Sequence, residues 1–152
     1  MKDAGESEKQ ASYGAWSYQY DNLPLSYKNL VYSKWKRSYR VGNDYIKLAD
    51  QASFFKAYDT YIWMILKRPN TWVRFAALTE DQDVVLGFAV VELVGSKLTL
   101  HYVHVHKDQR RQGIASFLVG APQCIERFTH LTRIGLLLWP KKLPDAIFDP
   151  FA

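Results

Sequence analysis

The chain has 152 residues, 48% of them hydrophobic and 23% charged, which excludes a disordered, collagenous or coiled-coil chain and supplies one domain's worth of core. A single cysteine, Cys124, excludes an internal disulfide and a Cys-rich zinc site and fits a reducing compartment. The net charge of +5 comes in blocks: −2 over 1–25, +6 over 26–72, −2 over 73–105 and +3 over 106–152. The basic blocks suit nucleic acid, an anionic cofactor or an acidic protein surface, or are solvated helix faces.

Residues 1–15 read as a flexible polar arm ahead of a single domain over 16–152. The polar start MKDAGESEKQ does not read as a signal peptide, and no apolar run reaches the roughly 18 residues of a membrane span. WSYQYD (16–21) predicts a first strand, broken by Asn22-Leu23-Pro24. Ser26 is read as the N-cap of a helix over 27–40, in which Leu30, Val31, Trp35 and Tyr39 recur at helical spacing, closed by Gly42-Asn43. A second helix runs from Asp50 or Ser53 to about Lys67 and buries Phe54, Tyr58, Tyr61, Ile62 and Ile65; Pro69-Asn70 ends it. Three strands follow at 72–79, 84–93 and 97–105, read as an antiparallel meander. The middle run is apolar almost throughout, as in a strand buried on both faces. A basic loop, HKDQRRQG, leads into a helix over about 114–127. Beyond it, THLT (129–132) is read as a strand followed by a short helical LLLWP segment, in preference to IGLLLW as the strand.

The strand–loop–helix over 103–120 carries the chemistry. Val103-His104-Val105 ends a strand, His106 to Gln112 form the loop, and Gly113-Ile114-Ala115 opens the helix. A glycine lets the backbone approach a ligand, and the small Ala115 keeps the first turn open. Unpaired N–H groups at a helix start attract an anion, and Arg110 and Arg111 add charge-assisted contacts. Such an arrangement suits a pyrophosphate.

The run Arg110-Arg111-Gln112-Gly113-Ile114-Ala115, in that context, resembles the Arg/Gln-x-x-Gly-x-Gly/Ala signature of the GNAT superfamily of N-acetyltransferases. Val105 to Ala115 looks like that family's strand-four-to-helix-three junction, and Val85 to Glu92 looks like its third strand; the resemblance covers about 16–132. A narrower likeness rests on SKWKRSYR (Ser33 to Arg40), LHYVHV (Leu100 to Val105), THLT (Thr129 to Thr132) and Phe148-Asp149-Pro150-Phe151. Together these are similar to strings in short GNAT-like proteins of tailed bacteriophages and prophages, where the chain ends near Asn-Pro-Tyr instead of Asp149-Pro150-Phe151.

The resemblance implies an α+β (mixed α/β) fold of the acyl-CoA N-acyltransferase type. This has three layers, a mostly antiparallel central sheet with helices on both faces, and here a shortened C-terminal half. It implies acetyl-CoA as cofactor and an amine as acceptor, with a tetrahedral oxyanion held by a backbone N–H. Val103 and Val105 would offer backbone groups to the pantetheine arm. Arg110, Arg111, Gln112, Gly113, Ile114 and Ala115 would surround the pyrophosphate. Where many relatives place a general base stands Tyr102, a poor base with a reference pKa near 10. Glu92 and His101 are the other candidates, and all three also read as ordinary strand residues. His104 and His106 point to the face opposite His101, which argues against a three-His metal site. The family's thiolate-protonating Tyr has no equivalent, because no Tyr follows Tyr102.

Two readings stay open. One is an acetyl-CoA-dependent N-acetyltransferase in the cytoplasm of a bacterial host cell. The other is a non-catalytic phage protein that keeps the fold, sits in the virion or binds a host factor, and contacts phage structural proteins or a second copy of itself. The intact loop favours the first; the aromatic content and the shortened acceptor half favour the second. A nucleic-acid role lacks a recognisable helix-turn-helix or stacking motif, and no membrane role is expected. Tyr13, Trp16, Tyr18 and Tyr20, with Phe148 and Phe151, are expected either to dock on a partner or, for Trp16 and Tyr18, to form the first strand.

Overall fold

In the computed structural model, residues 12–110, 113–120 and 122–152 are described. Residues 1–11 of the expected arm, and Arg111 and Gln112 of the expected cofactor loop, lie outside the described residues.

The first strand, β1 (Tyr13–Tyr18), begins inside the stretch read as an arm. The first helix, α1 (Leu25–Val41), starts behind Pro24, whose ring sets φ at −58°, so Ser26 lies in the first turn and is not the cap. Its buried stripe is Tyr27, Val31 and Trp35, one residue per turn. Asp50 caps α2 (Gln51–Leu66) by accepting from the Ser53 N–H at 2.9 Å. The meander follows as expected: β2 (Thr71–Leu78), β3 (Val85–Val94) and β4 (Lys97–Val105), with 86–90 buried on both faces.

The expected helix over 114–127 is corrected. The helix α3 covers only Ile114–Val119, because Gly120 takes φ +77° and a proline follows two residues on. The chain then enters a strand, β5 (Ile125–Phe128). THLT is not a strand but the connection to α4 (Arg133–Lys142), which Thr132 caps by accepting from the Gly135 N–H at 3.1 Å. A two-residue β6 (Ile147–Phe148) ends the sheet. Strand order is sequential, β1 to β6; pairs up to β3–β4 are antiparallel and β4–β5 and β5–β6 are parallel.

The result is the mixed α+β, three-layer architecture that the sequence implied. On one face α1 and α2 press Val31, Trp35, Ile62 and Ile65 against Phe75, Phe88, Val90 and Tyr102. On the other, α3 and α4 press Ile114, Leu118 and Trp139 against Leu86, Ala89 and Leu100. Of the rings expected at a partner interface, Tyr18 packs on Tyr27 and Phe75 and Tyr13 on Phe117; Phe148 stacks on Phe128 but stays 44% exposed, and Phe151 is 93% exposed. Part of the basic block over 26–72 is engaged within the chain. Lys36 pairs with Asp59, Lys67 with Asp21 and Arg68 with Glu92, and Arg40 donates to the Lys47 and Ala49 carbonyls. Among the described residues no helix is long and apolar enough to cross a membrane, and no cluster of His, Cys, Asp or Glu could hold a metal ion.

Gly87 lets β3 and β4 approach beside the end of β4. A Cβ there would lie 2.5 Å from the His104 carbonyl oxygen and 3.2 Å from the Val105 Cα, both backbone atoms that cannot swing aside. Gly87→Ala is therefore expected to lower stability by about 1–3 kcal/mol, the range for overpacking. Urea unfolding measures it, and an unchanged midpoint would contradict the close approach.

Candidate functional site

The site begins with one extra residue. In the β3–β4 ladder Val90 faces Tyr102 while Val91 faces Leu100, so His101 is a bulge. The parallel strand β5 pairs with β4 at Leu98, Thr99 and Leu100, and the Thr129 N–H adds a last bond to the Leu100 carbonyl at 3.1 Å. Past that point no ladder pairing joins the two strands. The His106 N–H donates to Leu86 O at 2.9 Å, which makes Gly87–Val105 and Ala89–Val103 non-hydrogen-bonded pairs of the β3–β4 ladder. Val103 and Val105 thus turn their N–H and C=O groups away from β3, toward the parted side. Arg110, close by, donates from Nε to the Val105 carbonyl at 3.2 Å.

Gly113 sits at the N-cap of α3 with φ +79°, a left-handed conformation that favours glycine. A Cβ at Gly113 would meet nothing within 4 Å, so the space in front of the helix is open. The first helical bond runs from the Phe117 N–H to the Gly113 carbonyl at 2.9 Å, which leaves the N–H groups of Ile114, Ala115 and Ser116 without a carbonyl inside the helix. The open β4 edge, Arg110 and the start of α3 are thereby brought together.

The other candidates meet in a buried polar chain. Glu92 Oε1 accepts from Arg68 Nη1 at 2.9 Å and lies 2.8 Å from His101 Nε2. His101, with no exposed surface, has its Nδ1 3.1 Å from Thr129 Oγ1. Thr129 Oγ1 lies 2.8 Å from His130 Nδ1, and His130 Nε2 lies 3.1 Å from the Tyr58 hydroxyl. The His130 ring is boxed by Tyr39, Trp35, Tyr61, Tyr102 and Tyr58, with centroids 4.8–6.0 Å away. Thr129, His130 and Tyr58 were not singled out from the sequence as site residues. The sequence signal for Thr129 and His130 is the Thr-His-Leu-Thr string, which follows β5, a stretch whose first residues the apolar pattern assigns to the end of a longer helix.

Tyr102 stands apart from this chain. Ser38 Oγ donates to the Lys34 carbonyl at 2.5 Å, so its lone pairs take the Tyr102 hydroxyl proton at 2.6 Å. Burial pushes the Tyr102 phenol further above its ordinary value, so it stays a neutral phenol and offers no phenolate as a base. Burial pushes Tyr58 up as well. Burial pushes His101 below the ordinary histidine range, against the opposing pull of Glu92. Burial pushes His130 down to about 3 and His104 down to about 4, the latter with help from His106, Lys34 and Arg110. For Glu92 burial acts upward, but the hydrogen bonds from His101 and Arg68 and the Arg68 charge outweigh it and hold the carboxyl below its usual range. The Glu92–His101 contact is therefore a carboxylate with a neutral imidazole.

The profile of the Acetyltransferase (GNAT) family matches residues 31–133. Among solved structures, nourseothricin acetyltransferase is 26% identical over 34% of this chain and 31% of its own, with a TM-score of 0.30. The aminoglycoside acetyltransferase meta-AAC0020 from an uncultured soil metagenomic sample, in complex with trehalose, is 13% identical over 70% of this chain and 64% of its own, with a TM-score of 0.44. The PaiA N-acetyltransferase from Thermoplasma acidophilum, in complex with coenzyme A, is 14% identical over 71% of this chain and 67% of its own, with a TM-score of 0.46. The chain thus spans between about a third and two thirds of the length of these structures. No curated protein matches the sequence significantly.

The buried histidines give the site a pH signature. Their folded pKa values lie below the unfolded value near 6.5, so below that pH the unfolded chain takes up protons that the native state does not. Stability is therefore complete above about pH 6.5 and lost as pH falls toward 4, by about 1 kcal/mol per pH unit for each such histidine. Melting temperatures from pH 8 to 4 measure this, and His130→Gln is expected to flatten the acid limb. A flat parent profile would contradict neutral burial.

Proposed function

The chain belongs to the GNAT family of acetyltransferases, and from that premise we propose that it transfers the acetyl group of acetyl-CoA to an amine. The observation that carries this reading is the parted edge of β4 lying beside the glycine-opened start of α3. The donor fits the residues present. Val103 and Val105 offer backbone groups on an edge that no strand covers, as an amide-bearing pantetheine arm requires. Gly113, Ile114 and Ala115 offer open space and N–H groups that no carbonyl of the helix takes, and Arg110 a cation, as a pyrophosphate requires. Arg111 and Gln112 are assigned to the same role from the signature alone. When bound, acetyl-CoA supplies a thioester carbonyl activated for attack by a neutral amine.

The chain's own residues orient and deprotonate. Glu92 is kept ionised by Arg68 and His101, so it is a proton acceptor at neutral pH. His101 is neutral and touches it. Tyr102, committed to Ser38, positions the α1 layer against β4 and is not assigned a base role. The α1–α2 layer over the acceptor side belongs to the +6 block, so a single amine on a neutral or anionic body suits it better than a polycation. Such an enzyme would work in the cytoplasm of a bacterial cell.

The second reading is a phage protein that keeps the fold without the chemistry. Its support is the aromatic box around His130, which fills the acceptor side with the chain's own rings, and the lack of any Tyr after Tyr102.

A matched pair of variants separates the two readings. Asn and Asp both tolerate the left-handed conformation at Gly113 and differ in charge alone. Calorimetry is expected to show acetyl-CoA binding to the parent tighter than about 1 mM, with Gly113→Asn within a few-fold of it. Gly113→Asp is expected to bind at least about tenfold more weakly, a difference of about 1.4 kcal/mol. No binding to the parent near 1 mM, or equal affinity in the two variants, would overturn the assignment.

A further inference from the structure

The side chains at the base of the parted strands can be assigned hydrogens one by one. Glu92 is a carboxylate and accepts only, so the hydrogen on the 2.8 Å contact belongs to His101 Nε2. His101 is neutral, so its Nδ1 is bare and must accept, and Thr129 Oγ1 is the group facing it. The threonine has one hydrogen. With that hydrogen given to His101, its oxygen can only accept from His130 Nδ1, which therefore carries hydrogen. His130 is neutral too, so its Nε2 is bare and accepts from the Tyr58 hydroxyl. The competing bond from Thr129 Oγ1 to the His101 carbonyl, at 3.3 Å, would leave the fully buried His101 Nδ1 without a donor. With both imidazoles neutral, one assignment satisfies these five side chains, and in it all four hydrogens point from Tyr58 toward Glu92.

We propose that Tyr58, His130, Thr129, His101 and Glu92 form a proton path that drains the acceptor amine into Glu92. The proposal rests on the acetyltransferase reading and deepens it. In the step, the ammonium gives a proton to Tyr58 Oη as the tyrosine's own hydrogen passes to His130 Nε2. The His130 Nδ1 hydrogen passes to Thr129, the threonine's hydrogen to His101 Nδ1, and the His101 Nε2 hydrogen to Glu92. One ammonium N–H bond breaks, one carboxyl O–H bond forms, and no heavy atom moves. Glu92 and Arg68 keep 17% and 37% of their side-chain surface exposed, so the proton can leave to water from that end. The groups that face the path are Arg68 and Tyr61 from α2 and its C-terminal turn, Tyr39 from α1 and Tyr102 from β4. Of these Arg68 alone is charged, and it is paired with Glu92. Thr129, His101 and His130 are positioning residues, since they act through Tyr58.

Two measurements test this. Nitrogen-15 NMR of the parent at pH 7 is expected to find hydrogen on Nε2 of His101 and on Nδ1 of His130. Finding hydrogen on Nε2 of His130 would overturn the path. Thr129→Val keeps the size and the backbone bond to Leu100 while removing the central oxygen. It is expected to lower kcat by about 10²-fold near pH 7 with KM and affinity for acetyl-CoA unchanged. The loss should shrink as pH rises and solvent supplies the free amine, and Thr129→Ser should restore the parent. Glu92→Gln should show the same split between kcat and KM. A parent that neither binds nor uses acetyl-CoA overturns the acetyltransferase reading and the path's use with it. An active parent matched by Thr129→Val at every pH overturns the path alone.

Discussion

The parting of β4 from β5 is the constraint from which the rest of the molecule follows. A continuous ladder would have left no free edge on β4 and no gap for side chains between the strands. The bulge at His101 and the bonds from Thr129 back to the β4 backbone end the pairing at Leu100. Everything N-terminal to that point is sheet. Everything beyond it is a strand edge, Val103 and Val105, with groups still to satisfy. The same bulge buries His101, and so makes a polar residue part of the core.

Burying two imidazoles and a carboxylate is costly unless each polar atom has a partner. Here the partners are supplied in series, and Arg68 closes the series with a charge at the rim. Such chains are worth more intact than the sum of their links, because each bond polarises the next in a low dielectric. That accounts for why both imidazoles stay neutral while Glu92 stays ionised. A protonated His101 would donate from Nδ1 to Thr129 Oγ1 and send the threonine hydrogen to the His101 carbonyl, which reverses that link.

What could be read from the sequence divides along the same line. The meander, the two early helices and the three layers were legible because apolar periodicity and Pro, Gly and Asp at element ends act locally. The cofactor side was legible because it is made of backbone, and backbone sites advertise themselves through a glycine such as Gly113 after a strand. The region after Val119 misled. Ile114 to Arg127 is apolar enough to read as one helix, and Gly120 with a proline two residues on is the local signal against it. With 125–127 read as helix, Thr129 and His130 fall in a strand of their own instead of the connection after β5. The polar chain was illegible for a further reason: its members come from α2, β3, β4 and the β5–α4 connection, and only the fold brings Tyr58 to His130 across 72 residues.

The two faces of the sheet therefore do different work. The α3–α4 face is packed mainly with aliphatic side chains, and what it presents at the parted edge is peptide groups. The α1–α2 face is packed with Trp35, Tyr39, Tyr58, Tyr61 and Tyr102, whose rings surround His130, while the Tyr102 and Tyr58 hydroxyls reach Ser38 and His130. An aromatic layer rather than an aliphatic one is what a buried relay needs. It is apolar enough to keep the imidazoles neutral, yet it places the Tyr58 hydroxyl at the end of the chain opposite Glu92. The high aromatic content, which from composition alone fits a large core or a contact surface, supplies much of that layer.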